Sequence, residues 1–489
     1  MENYLENLKI GREVRESLAA ACGLLRTNEG TAVSSEVREA LLLYARQYLF
    51  SEEPKVRKNA GKLLSLLKDD SEESTELLVR AYQSENTRFV RSTYLEALEN
   101  CDITKYREFF SETLSGLLQT EVNEENRKHV NEEVAALRKL LGETAGKHRF
   151  TGYDADNTML FVVNPCYCEM FAQAIGVVRK KVVNGGVVVR TTKLTEILQN
   201  RIWREAVFRV PEALTVPSDP YEAAKVLSGK TVGAYLASRL SGTGAIAYRV
   251  DLRCRDTAVK DRFLKRICPE TDRLSGGKLV NVPGDYEVTF RISESGDDTY
   301  RLGVVFAGVS DNRFAYRRET VASSIHPTDA AAVIAAAKPY LVSDAQVLDP
   351  FCGAGTMIAE RMKAGRIRSA FGVDTFGPAI EKARGNVRSD RVWFVHRDFF
   401  DYRQDHRFDE IITNMPFGDA DAEQTKILYR RFFRRLPEHL RENGTLVMIS
   451  HDPKIAEASI PSEMDMVAKI PMRERGEMAA YIVRFRERA

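Results

Sequence analysis

Apolar positions in the first 145 residues recur three and four apart, in segments such as SEVREALLLYARQYL, EPKVRKNAGKLLSLL, NTRFVRSTYLEALEN and HVNEEVAALRKLL. That spacing lays one apolar stripe along each of a series of helices. The stretches Val56 to Leu64 and Val90 to Leu98 resemble each other at an offset of 34 residues. Each has Val-Arg, then a small or aromatic residue four on from the Val, then apolar residues a turn later. Looser echoes lie around Val37 and Val130.

Near Gly146–Asp154 the pattern changes. TMLFVVNP, VVNGGVVVRTT, AIAYRVDLRCRD, GDYEVTFRISESGD and TYRLGVVFAG read as apolar strand runs, with helical stretches such as PYEAAKVLSGKTVGAYLASRL and AVKDRFLKRI between them. This is an α+β pattern. A further change at His326-Pro327 begins strict alternation of strand and helix, the spacing of a doubly wound α/β domain. The expected division is residues 1–147, 148–309 and 310–489. A helical repeat of this size predicts a HEAT-like solenoid for the first part, with a plain helical bundle as the alternative. It holds no catalytic constellation and reads as a scaffold or binding surface, open to RNA, a protein partner or a second subunit.

Charge refines the picture slightly. Residues 1–145 carry 20 Lys+Arg against 26 Asp+Glu, residues 146–330 carry 27 against 21, and the remainder 25 against 23. A basic middle is compatible with nucleic-acid binding. Seven scattered cysteines suit a reducing compartment, and Cys166-x-Cys168 lacks the second pair that a zinc site needs, so no metal is expected. No run reaches the length of a membrane span, and the charged N-terminus lacks a signal peptide's apolar core; the expectation is a cytoplasmic protein without membrane attachment.

AQVLDPFCGAGTMIAERM is the most informative segment. Gln346 to Leu348 read as a short buried strand closed by Asp349. Phe351 to Gly355 form a tight turn, and Thr356 opens a helix. Glycines at Gly353 and Gly355 let backbone approach a ligand, and the helix start offers free N–H groups. Acids recur where the next strands should end: Asp374, suited to ribose hydroxyls, and Asp398, suited to an adenine amino group. The turn lacks the third glycine of a dinucleotide fingerprint.

The fourth strand, FDEIITN, exits into Asn414-Met415-Pro416-Phe417, followed by Gly418. This resembles the (N/D)-x-P-(Y/F) tetrad of methyltransferases acting on planar exocyclic amines. Such an amine has its lone pair drawn into the ring. Two acceptors, the Asn414 side-chain oxygen and the Met415 carbonyl, can hold its hydrogens and aim the lone pair at a methyl donor. Pro416 fixes the turn, and Phe417 offers a face for stacking. Met415 stands where many such proteins have a second proline. Cys352, inside the turn, reads as a small buried residue and not as a nucleophile. NGTLVMISHD gives a fifth strand, and MDMVAKIPM with AAYIVRF a closing hairpin.

From about Arg301 onward the chain resembles the catalytic domain of THUMP-containing RNA guanine-N2 methyltransferases. The resemblance rests on Tyr316-Arg317-Arg318, His326-Pro327-Thr328, the Asp349–Thr356 turn and Asn414 to Gly418. It implies a class I, Rossmann-like α/β domain binding S-adenosylmethionine through Asp349, Phe351, Gly353, Gly355, Thr356, Asp374, Asp398, Phe399 and Asn414. It also implies that Asn414, Met415, Pro416 and Phe417 are catalytic. The middle region is similar to the family's THUMP module. By that resemblance its RNA-binding residues are Arg249, Arg253, Arg255, Lys260, Arg262, Lys265 and Arg266, joined by Arg317 and Arg318, and Thr158 to Val210 form a small ferredoxin-like domain. The module is then expected to grip the 3′ end of tRNA, with N2-methylguanosine in the acceptor stem as product. Ribosomal RNA as substrate, or a degenerate enzyme serving as an RNA-binding adaptor, are the alternatives.

Overall fold

The structure is a computed structural model that describes residues 2–26, 34–119, 122–142, 146–176, 178–211, 215–254, 256–296, 299–417 and 422–485. Its contacts divide the chain into two compact units. One joins residues 1–151 to 210–308, and the other joins residues 152–209 to 309–489. The segment 148–309 is thus shared between both.

Among the described residues the first unit begins with the helices α1 (Glu2–Ile10), α2 (Val14–Arg26), α3 (Ser35–Tyr48), α4 (Pro54–Leu67), α5 (Glu72–Ser84), α6 (Arg88–Leu98), α7 (Arg107–Gln119) and α8 (Glu124–Leu141). α2, α4, α6 and α8 pack in succession, with α3 against α4, α5 against α6 and α7 against α8. The 34-residue echo falls on α4 and α6. Val56, Ala60 and Leu64 of α4 are buried together with Val90, Tyr94 and Leu98 of α6 in one core. The arginine of each Val-Arg pair meets a buried carboxylate. Arg57 forks onto Glu85 at 2.7 and 2.8 Å, and Arg91 donates to Glu133 at 2.6 Å. Charge pairs of this kind need hydrogen-bonded partners to be tolerated inside a core.

The helices are not an appendage. α8 packs along the helix Thr257–Leu274. There Asn131 donates to Glu270 at 3.2 Å, and Arg138 donates to the Asp272 carbonyl at 3.3 Å. In the same unit the strand Ile246–Arg253 runs parallel to Leu279–Asn281 and Val288–Gly296, the latter pairing antiparallel with Thr299–Phe306.

In the second unit, Arg179–Val183, Gly186–Thr191, Asn157–Val162 and Glu205–Arg209 form consecutive antiparallel pairs. VVNGG is the turn of a hairpin, the glycines supplying the reversal inside what reads as one apolar run. The remaining strands are β1 (Ala345–Asp349), β2 (Ile367–Asp374), β3 (Val392–His396), β4 (Phe408–Asn414), β5 (Leu440–Ser450), β6 (Met464–Pro471) and β7 (Ala479–Phe485). They lie in the order β3-β2-β1-β4-β5-β7-β6. The first five are parallel, and β7 inserts antiparallel between β5 and β6. This is the methyltransferase-like α/β fold. Strand order reverses between β1 and β4, where a crevice opens at the C-terminal ends of the strands. Among the described residues no helix is long and apolar enough to cross a membrane.

Candidate active site

The crevice is lined by the β1 turn, the end of β2, the exit of β4 and a loop that precedes β1. Its walls include Asp349, Phe351, Cys352, Gly353, Thr356, Asp374, Phe399 and Asn414 to Phe417, together with Val321, Ser323, Ser324, Ile325 and Thr375. Of the residues anticipated from sequence, Gly355 and Asp398 are not among those lining it. Gly418 and Arg255 lie outside the described residues.

Local chemistry builds the turn. Gly353 and Gly355 have φ of +50° and +81°, the left-handed region where a side chain is strained. A Cβ on Gly355 would also meet Phe394 at 3.2 Å and Val387 at 3.3 Å. Gly355 therefore lets the turn pack on β3's side while it caps the helix Thr356–Ala364. Asp374 holds the turn from β2, accepting from Gly353 N–H at 2.8 Å and from Phe376 N–H at 2.9 Å. Asp398 accepts from Phe400 N–H at 2.9 Å and caps a short turn that places Phe399 in the wall.

Burial dominates the electrostatics. It pushes the Asp349 carboxyl up to about 8, with Asp374 adding repulsion and a hydrogen bond from Phe351 N–H opposing both. Burial likewise pushes the Cys352 thiol well above its ordinary range, leaving it protonated and unsuited to nucleophilic attack.

At the exit of β4, the Asn414 side-chain oxygen is buried and has no hydrogen-bond partner among the described residues. Buried acceptors are rarely left so, because the lost hydration costs about 1–3 kcal/mol. An unfilled acceptor at a crevice mouth fits a ligand N–H donor. Met415 is fully buried, its N–H donating to Ile449 O of β5 at 3.0 Å. Phe417 is 52% exposed. One further residue belongs here. His451, just past β5, stacks on Phe417 with ring centroids 3.7 Å apart and planes 24° apart. Its Nε2 is buried without a partner among the described residues, and burial, then Arg473, lowers its pKa.

The loop Arg317–Ile325 closes one wall, a role that no residue pattern announces. Asn386 accepts from the N–H groups of Arg318 and Glu319 at 2.9 and 3.1 Å, and donates to Glu319 O and to Ala354 O at 2.8 and 3.0 Å. Arg317 turns inward, donating to Ile325 O at 3.2 Å, while Arg318 is exposed. Tyr316 donates to Glu360, which also receives the fork of Arg201. His326 caps the helix Pro327–Ala337, whose buried Asp329 pairs with Arg204.

The other basic residues singled out from the sequence sit in the first unit. Arg262, Lys265 and Arg266 are exposed on the helix Thr257–Leu274, and Lys260 is half-buried on it. Arg253 is exposed, 3.3 Å from Asp251. Arg249 lies over Tyr286 at 4.0 Å and donates to Thr289 at 3.0 Å.

Comparison with known proteins bears on the fold and on the type of domain. Residues 315–478 match the family described as "UPF0020: RMKL-like, methyltransferase domain". A tRNA (guanine(10)-N2)-dimethyltransferase from Methanothermobacter thermautotrophicus is 28% identical over 134 residues. The match covers 26% of this chain and 39% of that relative. The crystal structure of TrmN from Thermus thermophilus is similar with a TM-score of 0.51 at 18% identity, covering 68% of this chain and 100% of that one. A possible methylase from Clostridium difficile 630 gives 0.49 at 15% identity, covering 68% and 99%. The chain spans well under two thirds of the curated relative's length, whereas the structural likeness to TrmN extends beyond residues 315–478. Residues 315–478 are thus similar to the methyltransferase domain of the UPF0020, RMKL-like family.

Proposed function

We propose that this protein is an S-adenosylmethionine-dependent RNA methyltransferase that forms N2-methylguanosine, with the tRNA acceptor stem as its target. The observation that carries the proposal is the unfilled, buried Asn414 side-chain oxygen beside the exposed ring of Phe417. An exocyclic amine supplies the N–H that this acceptor lacks, and its base supplies the face that Phe417 stacks. The similarity to the Methanothermobacter tRNA (guanine(10)-N2)-dimethyltransferase supports the choice of guanine and of tRNA.

The cofactor supplies an electrophilic methyl group. In this reading Thr356 would present its backbone N–H to it, Asp374 would take its ribose hydroxyls while holding the Gly353 N–H, and Phe351 and Phe399 would line its pocket. Asn414 and the Met415 carbonyl hold the amine's two hydrogens, so that its lone pair points away from the ring system. A guanine in a stem has to leave the stack to reach them. Residues 1–147 would serve as a HEAT-like scaffold, and the basic helix Thr257–Leu274 of a THUMP-like module would contact phosphates without reading sequence.

The test is incubation of the purified protein with labelled S-adenosylmethionine and, in parallel, tRNA, ribosomal RNA or DNA, followed by digestion to nucleosides, with cofactor binding measured by calorimetry. Label in N2-methylguanosine is expected. Label in ribosomal RNA alone would move the substrate, label in N6-methyladenine of DNA would overturn the reading, and absence of cofactor binding would make the protein an adaptor.

A further inference from the structure

The helix Ala422–His439 resumes the described chain five residues after Phe417 and has two unlike faces. Tyr429, Phe432, Phe433 and Leu436 are buried. Phe432 packs on Phe351 and Phe399 with ring centroids 6.1 and 5.9 Å apart, so this face buttresses two walls of the crevice. The helical period of 100° per residue puts Arg430, Arg431 and Arg434 on the opposite side, and all three are exposed.

Elsewhere on the helix, cations are neutralised locally: Lys426 by Glu423 at 3.1 Å, and Arg435 by Glu438. No carboxylate lies within ion-pairing distance of Arg430, Arg431 or Arg434 among the described residues. Arg431 lies over the ring of Phe400 at 4.0 Å, which fixes its direction without neutralising it. Arg430 and Arg434, one turn apart, are separated by about 6 Å along the axis.

We infer that this arginine face is a second polyanion-binding surface, belonging to the methyltransferase domain itself, and that its occupant is the RNA backbone flanking the target nucleotide. Three concentrated, un-neutralised guanidiniums complement a chain of phosphates, which they can engage bidentately. Their place on the back of the aromatic wall puts that contact in the same unit as Asn414 and Phe417. The inference rests on the RNA reading above for the identity of its occupant, and it is distinct from the basic helix Thr257–Leu274.

The test compares the full-length protein with R430A/R431A/R434A and with R430K/R431K/R434K. Binding of an in vitro tRNA transcript is measured across a salt series, S-adenosylmethionine affinity by calorimetry, and methyl transfer in parallel. The alanine variant is expected to bind RNA about tenfold or more weakly, with log K against log salt shallower by about 2–3, since each phosphate contact contributes about 0.7–0.9 to that slope. Cofactor affinity should not change, and the lysine variant should recover most of the slope. An alanine variant with wild-type affinity and slope overturns the inference while leaving the RNA reading intact if the wild type methylates the transcript. A wild type that neither binds nor methylates RNA overturns both.

Discussion

His451 backs Phe417: the two rings stack 3.7 Å apart, one on the loop after β4 and the other just past β5. The aromatic ring of the tetrad is therefore held from a second strand and not by its own loop alone. Replacing His451 with Ala is expected to lower kcat/KM for RNA about threefold to tenfold, the equivalent of a ring contact worth about 0.5–1.5 kcal/mol. Cofactor affinity should stay unchanged, and His451→Phe should recover most of the loss. A phenylalanine variant as impaired as the alanine one would assign the effect to the unpartnered Nε2 instead of the stack.

Asn414→Ala removes an acceptor for the substrate amine and none of the turn that surrounds the crevice. Turnover should fall by about a hundredfold or more, by analogy with removing one preorganised hydrogen-bond partner of a reacting group. Calorimetric binding of S-adenosylmethionine should persist. Loss of that binding would give Asn414 a cofactor-holding role.

Asp349 gives a pH-dependent stability. Burial raises its folded-state pKa to about 8, whereas an unfolded Asp titrates near ~3.9. The folded protein thus retains a proton that the unfolded chain releases. The contribution is fully present below about pH 4 and is lost as pH rises through about 8. Asp349→Asn cannot ionise, so its melting temperature relative to wild type should rise between pH 5 and pH 9. A difference that does not vary with pH would show that Asp349 ionises normally in the fold.

Arg361 and Glu410 join the helix after the glycine turn to β4, with both side chains buried and nitrogen–oxygen distances of 2.6 and 2.9 Å. Arg361→Ala leaves a buried carboxylate without its partner and should destabilise the protein by about 3–5 kcal/mol, read from denaturant unfolding. A double variant with methionine at both positions should recover much of that loss. If the single variant unfolds like wild type, the pair is not a structural tie.

The strands of the α/β domain were legible because each is a short apolar run ended by a residue of distinct chemistry. Asp349, Asp374 and Asn414 all close strands where the sequence places them, and the glycines fall where φ is positive. What was not legible depends on contacts between distant residues. The hydrogen bond by which Asp398 caps the next turn depends on the local backbone path. The loop Arg317–Ile325 is held at its start by Asn386, more than sixty residues on, which bonds the backbone of Arg318 and Glu319. His451 is a lone histidine after a strand until the fold sets it against Phe417. The sharing of residues 148–309 between two units leaves no local trace, because it arises from α8 and from the strands around Asn157 choosing different neighbours.

Asn386 has a consequence for how the crevice opens. One carboxamide holds the backbone of Arg318 and Glu319 and also the carbonyl of Ala354 in the glycine turn. The wall and the floor then share a fastening, and neither can loosen without releasing the other. In hydrogen exchange the amides of Arg318 and Glu319 should open together with the turn, as one cooperative step of local unfolding.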